Sequence, residues 1–198
     1  MISSVPNSTA DLAVGALDHL LLQLSDLVSA IHPPELYSHL EAEIFRSTPG
    51  GHVRHLLDHV RALLQGLSGE TTNDAGQRLI CYDRRTRGTD VECNPDACLA
   101  LIAGLRHELA NLLQTEKEAP LAESTSGSAS TQVSLYVEQI VHPGHPAVIL
   151  ESNALREIVF VYHHSIHHAA LIAARLRQAG MTVPADFGIA PATLAAKP

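Results

Sequence analysis

The chain has 198 residues, 45% of them apolar, enough to bury a domain-sized core and unlike the composition of a disordered segment. Its formal charge of −8, from 13 basic and 21 acidic residues, argues against nucleic-acid binding through phosphate neutralisation. Lysine occurs only as Lys117 and Lys197 and tryptophan not at all, so neither a polybasic membrane patch nor an aromatic platform for single strands is expected.

The first predicted element is a helix from about Thr9 to Ile31, with Leu12, Leu20, Leu24, Leu27 and Ile31 at helical spacing and "HPP" ending it. Asp11, Asp18 and Asp26 interrupt its apolar run and no basic segment precedes it, so it reads as a core helix, not a signal peptide or membrane span. A short helix opens at Pro34. A second long helix is expected in "STPGGHVRHLLDHVRALLQGLSG", entered after Gly50–Gly51 and closed near Gly66 or Gly69. The next stretch, "ETTNDAGQRLICYDRRTRGTDVEC", reads as a loop of mixed charge. Asn94 as cap and Pro95 at the first helical position open the third long helix.

"ESTSGSAS" breaks the helical pattern. Two β-branched runs joined by "HPGHP" then predict a hairpin over about 131–151. The fourth long helix starts at Ser152 or Asn153 and runs to about Ala179, with Gly180 as its stop. The tail, about 181–198, is too rich in Pro and Gly to continue it. Phe187, Ile189 and Leu194 predict an ordered strap over the helices. The sum is an all-α single domain over 1–198, a four-helix bundle with a β-hairpin inserted before the last long helix. Cys81, Cys93 and Cys98 are odd in number and form no C-x-x-C pair, which points to a reducing cytoplasm over a disulfide framework.

Histidine is the unusual residue, with 13 copies, four of them inside "VYHHSIHHAALI". On a helix, residues four apart share a face, so His164 and His168 form one column and His163 and His167 another. Either pair could bind one metal ion. On the second helix His52, His55 and His59 fall in one sector together with Leu56 and Leu63, and so face inward. Burying that many neutral imidazoles separately would leave ring N–H groups unpaired, at a cost on the order of 1–3 kcal/mol each. A shared ion removes that cost. His19, His32, His39, His107, His142 and His145 have no comparable arrangement and read as surface or structural residues.

"GGHVRHLLDHVRALLQG" followed far downstream by "HHSIHHAALI" resembles the DinB/YfiT-like superfamily (DinB family) of metal-binding four-helix bundles. The resemblance spans the second helix, the "ICYDRRTRG" loop, the third helix, the hairpin and the fourth helix. It implies a divalent ion (zinc, nickel or iron) held by His55, His164 and His168, with His52, His59, His163 and His167 as supporting or pocket residues. It also implies a homodimer, and an activity among metal-dependent hydrolases or transferases that use a low-molecular-weight thiol.

Three imidazoles leave an ion with an open position, the pattern of catalytic sites. Glu157, two turns before His164 on the same face, is the candidate general base or outer partner, although a first helical turn favours an acid in any case. Tyr82, Arg84, Arg85 and Arg87 are candidates to anchor an anionic small-molecule substrate such as a thiol's carboxylates. The alternative to an enzyme is a non-catalytic metal- or ligand-binding protein of a stress response.

Overall fold

The computed structural model describes residues 8–39, 47–84, 88–118 and 134–196, and only the backbone of 113–118. Helix α1 spans Thr9–Ser29, with the Ser8 hydroxyl accepting the Asp11 N–H at 3.0 Å. Its buried stripe is Val14, Leu17, Leu20, Leu21, Leu24, Leu27 and Val28. Leu12, expected on that stripe, is 60% exposed, because the apolar face begins one turn later. By length and composition α1 would also suit a membrane span, but here its apolar face packs against other helices.

A 3₁₀ turn at Pro34–Tyr37 leads towards α2, Pro49–Ser68. This helix begins before the glycine pair instead of after it, because Thr48 caps it by accepting the Gly51 N–H at 2.9 Å. Gly50 lies inside the first turn for a steric reason: a Cβ there would stand 2.2 Å from the Glu92 carbonyl oxygen. Gly69, with φ +82°, ends the helix as expected.

The stretch predicted as a loop of mixed charge contains a strand. β1, Arg78–Cys81, lies against α2 and pairs in parallel with β2, Leu135–Gln139, from Arg78↔Leu135 to Cys81↔Glu138. β2 in turn pairs antiparallel with β3, Val148–Ser152, from Leu135↔Ser152 to Gln139↔Val148. The predicted hairpin is therefore two-thirds of a three-stranded sheet; positions 131–133 of its expected range lie outside the described residues. A four-residue strand with an arginine at its start offers little alternation to read, and its partner is more than fifty residues away.

Helix α3, Pro95–Glu118, starts where predicted, with the Asn94 side chain accepting the Asp96 N–H at 2.9 Å. Helix α4, Ala154–Gln178, is capped by Asn153 and stopped before Gly180. Both α3 and α4 pack against α1 and against α2, so the core lies among the four long helices, with the sheet beside α2.

The tail packs Phe187 (1% exposed) against the core and leaves Ile189 half-buried, whereas Leu194, expected in the same strap, is 38% exposed. It also contains a short helix of its own, α5, Pro191–Ala195, which the reading of Pro and Gly content missed. Gly188, at φ +77°, comes so close to α4 that a Cβ would stand 2.5 Å from the Ala170 nitrogen. That contact clamps the strap onto α4 just past the histidine run.

Candidate metal centre

The seam between α2 and α4 brings the histidines together. His55 sits on α2 one turn from His52 and from His59, while Leu56 and Leu63 of the same helix are fully buried. On α4, His164 and His168 face this row, and one ring nitrogen from each of His55, His164 and His168 lies within 4.8 Å of the others. His55 Nε2 and His164 Nε2 are 3.3 Å apart. Two nitrogens each about 2.1 Å from one tetrahedral ion would be separated by about 3.4 Å. The three rings meet edge-on, with centroids 4.5 Å (His55–His168), 4.7 Å (His164–His168) and 5.3 Å (His55–His164) apart.

The electrostatics suit neutral ligands. Burial, followed by the neighbouring His55 and His164, lowers the His168 pKa to about 3, so this ring stays deprotonated at any ordinary pH. Burial also lowers the His52 pKa, with help from Arg175 and His167. His52 Nδ1 stands 3.3 Å from His168 Nδ1, a contact that holds when one ring donates and the other accepts. His59 is only 5% exposed, and its Nδ1 donates to the His55 carbonyl at 3.0 Å. A carbonyl only accepts, so the proton of His59 is on Nδ1.

Around the trio the rings form a wall. His59 lies between Tyr82 and His164, stacked at 5.2 Å and 9° on one and at 4.0 Å and 23° on the other. Tyr82 is 3% exposed and donates its hydroxyl to Glu157 Oε2 at 2.8 Å. Burial and that carboxylate push the Tyr82 pKa far up, so the phenol keeps its proton. Glu157, fully buried, also accepts from the Ser152 hydroxyl and pairs with Arg156 at 2.5 Å.

Two expectations are relocated by this geometry. Glu157, expected as a general base or outer partner, binds Tyr82, Ser152 and Arg156, and the Tyr82 ring in turn stacks on His59. Seven residues of helix put it about 10 Å along α4 from His164. Tyr82, expected as a candidate substrate contact, gives its hydroxyl to Glu157. The sequence carried no signal for this tie, because its partners are 75 positions apart.

His52 and His59 adjoin the trio. Of the second α4 column, His167 is exposed with its ring 5.2 Å from that of His168. His163 is also exposed, and its ring packs on Tyr162. Helical phase explains the split: each lies about 100° round α4 from its neighbour in the ligand column. Arg84 is exposed beside Cys81, while Arg85 and Arg87 lie outside the described residues. Comparisons with protein-family models, with curated proteins and with solved structures found no match.

Proposed function

We propose that the chain is a metal-dependent enzyme of DinB-like type, a hydrolase or a low-molecular-weight-thiol S-transferase, in which His55, His164 and His168 hold one divalent ion. The convergence of those three imidazoles from two helices carries the reading. The family likeness rests on the histidine phrases and on the mutual packing of four long helices, which we read as a four-helix bundle forming one domain. A bound divalent ion would bring the pKa of a coordinated water or thiol towards neutrality. In this arrangement His52 and His59 fix the orientation of the ligand rings. Tyr82 closes one side of the site and Glu157 holds Tyr82 in place. Zinc, nickel and iron all suit three imidazoles. A cytoplasmic homodimer that binds neither nucleic acid nor membrane completes the proposal. It draws support from the acidic charge and the free cysteines Cys81, Cys93 and Cys98.

A second reading, metal binding without catalysis, draws on the enclosure of the trio by His52, His59 and Tyr82. The experiment is metal analysis of tag-free protein, followed by cobalt substitution and addition of mycothiol, bacillithiol, glutathione or cysteine. A stoichiometric ion and a thiol-dependent change in the cobalt spectrum support the transferase. A stoichiometric ion with hydrolysis of activated esters or amides and no thiol response supports the hydrolase. An ion with neither response supports the binding protein, and the absence of any bound divalent transition metal that His164→Ala removes overturns the site.

A further inference from the structure

The exposed turn joining β2 to β3 places a further pair of histidines together, on an element separate from α2 and α4. We propose that His142 and His145 form a separate surface site for a divalent transition-metal ion. The sequence "HPGHP" builds the turn. Pro143 and Pro146 restrict the backbone on either side, Gly144 takes φ +81°, and the His145 N–H reaches the His142 carbonyl at 3.3 Å. The two imidazoles consequently stand with centroids 4.7 Å apart at 82°.

That spacing equals the 4.7 Å between His164 and His168. It also falls within the range that a shared ion allows. A ring bound through nitrogen at about 2.1 Å has its centre about 3.2 Å from the ion, so two such rings at about 90–110° are separated by about 4.5–5.2 Å.

Tautomer is the second observation. His142 Nδ1 lies 2.8 Å from the Pro143 carbonyl oxygen, which can only accept, so the ring proton sits on Nδ1 and Nε2 carries the lone pair. A backbone carbonyl holding one ring nitrogen while the other faces an ion is how ligand histidines are commonly oriented. Both side chains are exposed, so neither ring must be dehydrated from a packed core to bind. An imidazole pair takes Cu²⁺, Ni²⁺ or Zn²⁺ and discriminates against Mg²⁺ and Ca²⁺, which prefer oxygen. With two protein ligands the affinity falls below that of a three-histidine centre.

The site stands independently of the α2–α4 centre and is tested separately from it. Tag-free, metal-stripped protein is titrated calorimetrically with Ni²⁺ and with Mg²⁺, alongside His145→Ala and His142→Ala variants whose folding is checked by circular dichroism. Each variant should lose one class of Ni²⁺ sites while any tighter class remains, and His164→Ala should leave the turn's class intact. In a His164→Ala background, copper-loaded protein should show an imidazole nitrogen signature by electron paramagnetic resonance that disappears when His145→Ala is added. Every class of Ni²⁺ site surviving both turn variants would overturn the proposal, as would a Mg²⁺ response that the same variants abolish.

Discussion

The α1–α3 pair and the α2–α4 pair solve the burial problem in opposite ways. Every buried residue of α1 is Val or Leu, and the buried side chains described on α3 are Cys98, Ile102, Leu105 and Leu109. By contrast His59, Glu157, Ser165, His168 and Arg175, the buried polar and charged side chains among the described residues, all lie on α2 or α4. Polar groups taken from water cost free energy unless they are bonded, and an apolar seam of the same size avoids that cost. Concentrating these polar groups on α2 and α4 thus separates two tasks: α1–α3 contributes stability, while α2 and α4 carry the chemistry and need that stability in reserve.

The sharpest way to break this comparison is one substitution on each side. Leu24→Ala in the fully buried α1 stripe should cost about 2–5 kcal/mol by chemical denaturation, while metal affinity of the folded protein stays near wild type. His164→Ala should do the reverse, abolishing metal uptake at the α2–α4 centre with a far smaller effect on metal-stripped stability. His163→Ala, on the exposed neighbouring column, should change neither. If His164→Ala kept full metal occupancy, or if Leu24→Ala removed it from folded protein, the division of labour would be wrong.

How much of this contrast was legible beforehand depends on the range of the interactions. Helix phase is local, so the four long helices, the Asn94 and Asn153 caps and the inward row His52–His55–His59 could be read from spacing alone. Which α4 column meets that row was not fixed by spacing; it followed from the family resemblance, and the structure brings His164 and His168 to His55. The parallel pairing of β1 with β2 and the hydroxyl of Tyr82 on Glu157 join distant segments, and no periodicity marks either one. Gly188 against Ala170 is of the same kind: the sequence showed a glycine in a tail, and only the fold shows what it approaches.

Acid should distinguish the two seams next. In the folded state His168 titrates at about 3, against about 6.5 for an unperturbed imidazole. Between those values the unfolded chain binds the proton and the folded chain does not, so stability rises with pH across this window and falls on acidification. The slope reaches at most about 1.4 kcal/mol per pH unit for each such proton. His52, also lowered, acts in the same direction. Metal-stripped wild type should therefore lose stability from pH 7 to pH 5, measured by urea midpoints. His168→Gln should flatten part of that loss, and metal-loaded protein should lose more because protons also displace the ion. An equal slope in wild type and His168→Gln would show that the shift at this ring has no consequence for folding.

The smallest effect expected belongs to the one bidentate ion pair linking α1 to α3 among the described residues. Arg106 reaches Asp18 with Nε at 2.7 Å and a terminal nitrogen at 3.0 Å, and the Arg106 pKa is raised first by that hydrogen bond. The geometry is that of a strong pair. Its setting is not: the two side chains are 33% and 37% exposed, so water and salt screen most of the attraction. Asp18→Asn should therefore cost no more than about 1 kcal/mol, with the difference from wild type shrinking further in 0.5 M salt. A loss of several kcal/mol that persisted in high salt would mean that the α1–α3 seam also depends on a specific polar contact. The contrast with α2–α4 would then be one of degree, since both seams would be using polar groups to fix how their helices meet.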